Sequence, residues 1–212
     1  YLGNGDLVDY SYDLNERVKI ETSSDDKLLV MNVNPFFMCS SCGYTEIEKK
    51  NPNANVLIKK HKNYRDKPCQ NEELIRIALG HEFKTDVAKI IVKSFTDRKV
   101  ALSTLYALLE GISIAFNIER TDIDGLCLKD VNGDYNLVLY DNVPGGAGHI
   151  KRLKNKTELE LALQYAEIKV NQNCCDETTS CYNCLRNYNN QKNHNELSRS
   201  KAKLGLEAIL NK

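Results

Sequence analysis

Apolar side chains between residues 97 and 117 recur as Ala101, Leu105, Leu108, Ile112 and Ala115, at spacings of four, three, four and three. That is the stripe of a helix lying on a core, predicted from Asp97 to Asn117. A second helical stripe, Leu159, Leu163, Ala166 and Val170, follows Thr157-Glu158-Leu159-Glu160, which reads as a capping box, and should end near Asn171. Glu196 to Leu210 closes the chain as a helix with Leu197, Leu204 and Ala208 inward. Elsewhere the pattern is that of strands: Arg17 to Thr22, Lys27 to Val33, Leu74 to Leu79 and Val87 to Ser94, with Gly80 and Thr85-Asp86 as turns between the last two. Ile123 to Leu128 and Tyr135 to Tyr140 pair across Val131-Asn132-Gly133-Asp134, whose Asn-Gly step is a hairpin signal. The expected fold is α+β, a mixed or antiparallel sheet packed with about four helices, the fourth starting after a Gly-rich turn near His149.

The chain has 212 residues, with 42% hydrophobic and 27% charged, which excludes a disordered tail, a collagen-like rod or a fibre. No run approaches the roughly 18 consecutive apolar residues of a membrane helix, and the acidic opening lacks the order of a signal peptide. A cytoplasmic protein without membrane contact is expected. The chain starts at Tyr1 without Met, so it reads as part of a longer protein, residues 1–38 continuing an upstream domain and 39–212 forming a domain of their own. Lys+Arg and Asp+Glu balance at 29 each, but unevenly: the first 30 residues hold seven acids against three bases, and Lys49 to Lys67 hold seven bases against Asp66. The surface is therefore polarised, and the segment with Lys59, Lys60, Lys62 and Arg65 is a candidate for binding nucleic-acid phosphates.

Eight cysteines change the picture more. Cys39-x2-Cys42-Gly43 with Cys69, and Cys174, Cys175, Cys181 and Cys184, have the spacing of tetrahedral zinc sites in a reducing compartment. The glycine after Cys42 permits a tight turn whose amides point at sulfur, and His61 is the candidate fourth ligand there. No helix follows Cys42 to lower a thiol pKa, which argues against a redox motif. In the second cluster four thiolates would close the coordination sphere and staple rather than catalyse; adjacent Cys174 and Cys175 strain the peptide, so His194 is the alternative to one of them. Cys127, in an apolar strand, belongs to the core.

Asp141-Asn142-Val143-Pro144-Gly145-Gly146-Ala147-Gly148-His149 ends a strand in three glycines, with Lys151 and Arg152 just after. The amides of Gly145, Gly146 and Gly148 could converge on a phosphate, or the turn could simply let a helix approach the sheet. It is neither a Walker loop nor a dinucleotide fingerprint. Asp141 with His149, or Asp86 with Glu110 as metal carboxylates, stand at no motif spacing, so the chain is not read as an enzyme by itself.

Taken in order, Cys39-x2-Cys42-Gly43, Cys69, Leu79 to Val87, Ser103 to Leu109, Leu139 to Gly148 and the terminal Cys175 to Tyr188 run with His194 and Leu197-Ser198-Arg199 resemble the MZB domain, the zinc-binding domain named after MrfA. The resemblance implies an accessory domain at the C-terminal end of superfamily 2 helicases in DNA repair and of related antiphage proteins such as those of DISARM. It further implies a four-cysteine zinc site on Cys174, Cys175, Cys181 and Cys184, although the family more often has Cys-x-Cys, and a Cys39/Cys42 group in only some members. Implied partners are DNA and helicase domains in the same or another chain.

Overall fold

The computed structural model describes residues 8–31, 34–47 and 55–211. Lys49 and Lys50 of the basic run lie outside them. The chain divides into two compact units, one within residues 28–82 and one combining 8–27 with 83–211. Both carry antiparallel ladders, and the α+β expectation holds, with three α-helices rather than four.

In the larger unit, β1 (Tyr10–Asn15), β2 (Val18–Met31), β7 (Gly80–Val92), β9 (Tyr135–Asp141) and β8 (Ile123–Lys129) form one sheet in the order β1-β2-β7-β9-β8. The hairpin signal is borne out: Cys127 pairs with Leu137 and Lys129 with Tyr135, and the turn is organised by the Asp130 carboxylate, which accepts from Asn132 N and Asp134 N. Two readings are corrected. Arg17 to Thr22 and Lys27 to Val33 fall largely on one strand, and Thr85-Asp86 lies inside β7 rather than in a turn. Thr85 and Asp86, though adjacent on the strand, are both buried, covered by the loop described below.

The helix α1 (Arg98–Phe116) is capped by Asp97 Oδ1, which accepts from Lys99 N and Val100 N, and ends at Asn117 in the left-handed region. Every residue from Val100 to Leu109 is buried, so α1 is enclosed rather than lying on a core with one face. It is long and apolar enough to cross a bilayer, but 78% of that window is buried inside the protein, as for a central core helix. α2 (Lys156–Asn171) buries Leu159, Leu163, Ala166 and Val170 as expected, but its cap is Asn155, whose Oδ1 accepts from Thr157 N, two residues before the capping-box reading. A short 3-10 turn at Ile150–Lys154 stands where the fourth helix was expected. α3 (Arg199–Leu210) turns Ala202, Leu206 and Ile209 inward, while Leu204 is 57% exposed.

The smaller unit holds β4 (Thr45–Ile47), β3 (Phe36–Met38), β6 (Glu73–Ile77) and β5 (Val56–Ile58), in that order across an antiparallel sheet. Among its described residues, one buried apolar cluster consists of Phe37, Cys39 and Leu74, with Cys42, Tyr44, Leu57 and Cys69 packed against it. So small a core leaves most of its cohesion to whatever joins the cysteines.

Candidate metal centres and the glycine-rich loop

β3 delivers Cys39 at its end, and the chain reverses through Cys42 into β4, with Gly43 N donating to Cys39 O and Cys39 N to Tyr44 O. Across from this knuckle, Cys69 N donates to His61 O, joining the other two candidate ligands in one loop. The Cys39, Cys42 and Cys69 sulfurs and a His61 ring nitrogen all lie within 4.8 Å of one another. Cys39 and Cys69 Sγ are 4.0 Å apart and Cys42 Sγ is 3.2 Å from His61 Nε2. A tetrahedron with Zn–S of about 2.3 Å and Zn–N of about 2.0 Å has edges of roughly 3.5–3.8 Å, so the donors fit zinc, and the sulfurs stand far beyond disulfide length. His61 Nδ1 sits 2.9 Å from Lys59 O and its ring stacks on Tyr44, centroids 4.6 Å apart; a proton on Nδ1 leaves the Nε2 lone pair for the metal. Burial alone would raise the Cys39 thiol, but the amides of Ser41 and Cys42, with the Cys42 and His61 side chains, lower it to about 6. Cys39 is therefore a ready thiolate at neutral pH.

In the larger unit, α2 ends just before Cys174, and the chain loops back through Cys181 to Cys184. The Sγ separations are 3.9 Å for Cys174 and Cys175, 3.9 Å for Cys175 and Cys184, and 3.8 Å for Cys181 and Cys184, close to the edge expected of a tetrathiolate zinc site. All four sulfurs converge, adjacent cysteines included. His194 is occupied elsewhere: Nε2 lies 2.9 Å from Asn190 Oδ1 and 3.1 Å from Asn187 O, so it is not the alternative ligand. Burial pushes the Cys184 thiol up to about 12, whereas the amide of Asn183 and the neighbouring cysteines bring Cys181 down despite burial. A dication would supply the positive charge that four converging thiolates need, and the closed donor set suits a structural rather than a hydrolytic ion. Arg199, 2% exposed, donates to the carbonyls of Val170, Gln172 and Cys175 and so ties α2, the knuckle and α3 together. Sequence reasoning missed this role, because no local pattern marks an arginine whose acceptors lie 24 to 29 residues away.

The glycine-rich loop corrects the phosphate reading of Gly145, Gly146 and Gly148. Its amides already have protein acceptors. Ala147 N and His149 N donate to Asp141 Oδ2 at 2.7 and 3.1 Å, Ile150 N to Asp141 Oδ1 at 2.9 Å, and Gly148 N to Asp86 Oδ2 at 3.1 Å. Gly145 N and Gly146 N take the carbonyls of Lys84 and Val143. At Gly146, with φ of +72°, a Cβ would come within 2.7 Å of Asp86 Oδ2, so only glycine lets the loop close over that carboxylate. The anion in this cradle is the chain's own Asp141, the residue directly before the loop; that position was the available signal.

The predicted cations are distributed unevenly. Lys59 pairs with Glu46 at 2.7 Å and Lys62 with Asp66 at 2.9 Å, while Lys60 is exposed and Arg65 is exposed beside the 80% exposed Tyr64 ring. Lys151 is exposed, but Arg152 binds Glu158 and lies over Phe116 at 3.9 Å.

Residues 104–185, running from within α1 to the residue after Cys184, match the family model described as the MrfA Zn-binding domain, MZB. This stretch is similar to the MZB domain. The match includes the four-cysteine centre and excludes the Cys39, Cys42, His61 and Cys69 centre. Over most of its length the chain is 27% identical, across 217 residues, to the Druantia protein DruE of Escherichia coli (strain UMEA 4076-1), covering 87% of this chain and 11% of that protein. In fold it is similar to the DUF1998 helicase MrfA in a crystal structure bound to DNA, with TM-score 0.58, 12% identity, and coverage of 95% of this chain and 23% of MrfA. The chain thus spans a minor part of each relative.

Proposed function

We propose that the chain is a zinc-stapled accessory module of a helicase-like protein of DNA repair or phage defence, acting in the cytoplasm, and that it holds nucleic acid by the phosphate backbone while the motor lies elsewhere. The observation that carries the nucleic-acid part is the His61-to-Cys69 loop. It presents Lys62, Arg65 and the Tyr64 ring to solvent on a segment whose two ends are both candidate zinc ligands, with exposed Lys60 just before it. Cations track phosphates and an exposed ring stacks on bases, a combination suited to a strand read without sequence preference. The similarity in fold to MrfA, crystallised bound to DNA, supports the same reading by analogy.

The test is fluorescence anisotropy of the chain with labelled oligonucleotides across a salt series. Replacing Lys60, Lys62 and Arg65 by Ala together should weaken binding on every sequence alike, and should flatten the log–log salt slope by about one per lost phosphate contact. A loss confined to one sequence contradicts the reading.

A second reading is favoured by one specific feature. The pairing of Val56 with Ile75, Ile75 with Met38 and Phe36 with Ile47 and Ile77 places these side chains on one face of the small sheet, where Ile47 is 77% and Ile58 66% exposed. That face suits docking to another protein surface, including a motor domain. Salt-insensitive or absent oligonucleotide binding would favour this scaffold role.

A further inference from the structure

Within the larger unit, Tyr106 of α1, Arg120 before β8, Asp124 of β8 and the loop of Asn187, Tyr188 and Asn189 line a cavity of about 330 Å³. This is the lower end of the range for small-ligand sites, about 300–1,000 Å³. One wall is set by the four-cysteine centre, because the loop leaves it directly after Cys184 and is locked by reciprocal bonds, Asn187 N to Asn190 Oδ1 at 2.9 Å and Asn190 N to Asn187 Oδ1 at 3.0 Å. Asn190 Nδ2 adds a bond of 2.8 Å back to Leu185 O.

The wall is chemically mixed. Tyr106 Oη accepts from Asn193 Nδ2 at 3.0 Å and keeps its own proton to donate. The Asp124 carboxylate accepts from the amide of Gly125, and among the described residues it forms no ion pair. Arg120 is held by Ile123 O and Glu110, which fixes a cation in the wall. The Tyr188 ring is 81% exposed and free to stack.

We propose that this cavity binds a single unstacked nucleobase, guanine in preference to the others. A carboxylate is the natural acceptor for the two adjacent N–H groups on the guanine pairing edge, a hydroxyl or guanidinium donor suits its carbonyl, and the Tyr188 face offers stacking. A lysine or arginine side chain from a peptide would find the same carboxylate but would meet Arg120 in the wall. The inference deepens the nucleic-acid reading, yet it uses none of the residues of the His61-to-Cys69 loop.

The test is calorimetric titration of the chain with GMP, IMP, AMP and CMP, and with oligothymidylate carrying or lacking one central dG. GMP should bind about tenfold more tightly than AMP or CMP, with IMP, which lacks the 2-amino donor, in between. Asp124→Asn should remove that preference, whereas Tyr188→Ala should weaken every nucleotide about alike, and Tyr188, being exposed, keeps the test decisive if Asp124→Asn fails to fold. A gain from the single dG identifies a strand as the source of the base; a GMP preference without such a gain supports the same pocket with a free nucleotide as occupant. Equal binding of all four nucleotides, a preference untouched by Asp124→Asn, affinity untouched by Tyr188→Ala, or binding of an arginine-containing peptide with no response to GMP would overturn the proposal. If base preference is missing while salt-sensitive oligonucleotide binding persists, the pocket fails and the backbone-binding function stands.

Discussion

Asp141 and Asp86 show how much can rest on single side chains. Asp141 is fully buried and accepts three loop amides; each amide left without an acceptor costs about 1–3 kcal/mol, so Asp141→Ala should lower the unfolding free energy by roughly 3 kcal/mol or more in urea titrations. Asp86 behaves oppositely. Burial, then the Asp141 charge, raises its pKa above the usual carboxylate value, so the folded state binds its proton more tightly than the unfolded state. Its contribution to stability is therefore greatest at low pH and falls as pH rises from about 4 through the raised value. Asp86→Asn, which can still accept from Gly148 N, should raise the thermal midpoint at neutral pH, and the gain should vanish below about pH 4; a gain that is the same at both pH values would show that the charge is not the cause. The sequence marked Asp141, Asp86 and the glycines, but not that they join. Amides that converge announce an anion, but not that the anion is a side chain of the same loop.

Among the elements, the packing of α3 on α1 is the most exacting. A Cβ on Gly205 would lie 1.8 Å from Thr104 Oγ1, and Thr104 is itself tied to Val100 O at 2.7 Å. Gly205→Ala should therefore cost about 1–3 kcal/mol, and Thr104→Ala in the same chain should recover part of the loss, a coupling that a double-mutant cycle by chemical denaturation would measure. Elements with a strong local period were legible: α1 with both ends, the buried stripe of α2 and the β8–β9 hairpin. What failed was local chemistry with a distant cause. Thr85 and Asp86 look like a turn because their burial comes from a loop some 60 residues on, and Leu204 looks inward because a four-residue step also fits the exposed side of a helix. The metal centres were legible because Cys-x2-Cys is a chain-local requirement of knuckle geometry; that Cys174 completes the second centre was not, since only the tertiary bonds of His194 decide it.

For the whole molecule, the two centres should respond differently to metal removal. Among its described residues the smaller unit buries few apolar side chains beyond its cysteines, so chelation should strip amide-exchange protection from residues 36–47 and 55–77. The larger unit retains the α1 core, and protection of Val100 to Leu109 should survive; loss of both together would show that they fold as one. Elemental analysis should find two zinc ions per chain, one lost in Cys42→Ser and the other in Cys181→Ser. Arg199 bears on a different question. It lies beyond residue 185, where the MZB match ends, yet its guanidinium saturates three carbonyls within that stretch, and Leu206 and Ile209 of the same helix fill the core beside it. The MZB match is thus shorter than the packed unit that contains it. A chain cut after residue 185, at the end of the MZB match, would expose a raw apolar face and aggregate, whereas one carried on through residue 211 would stay in solution.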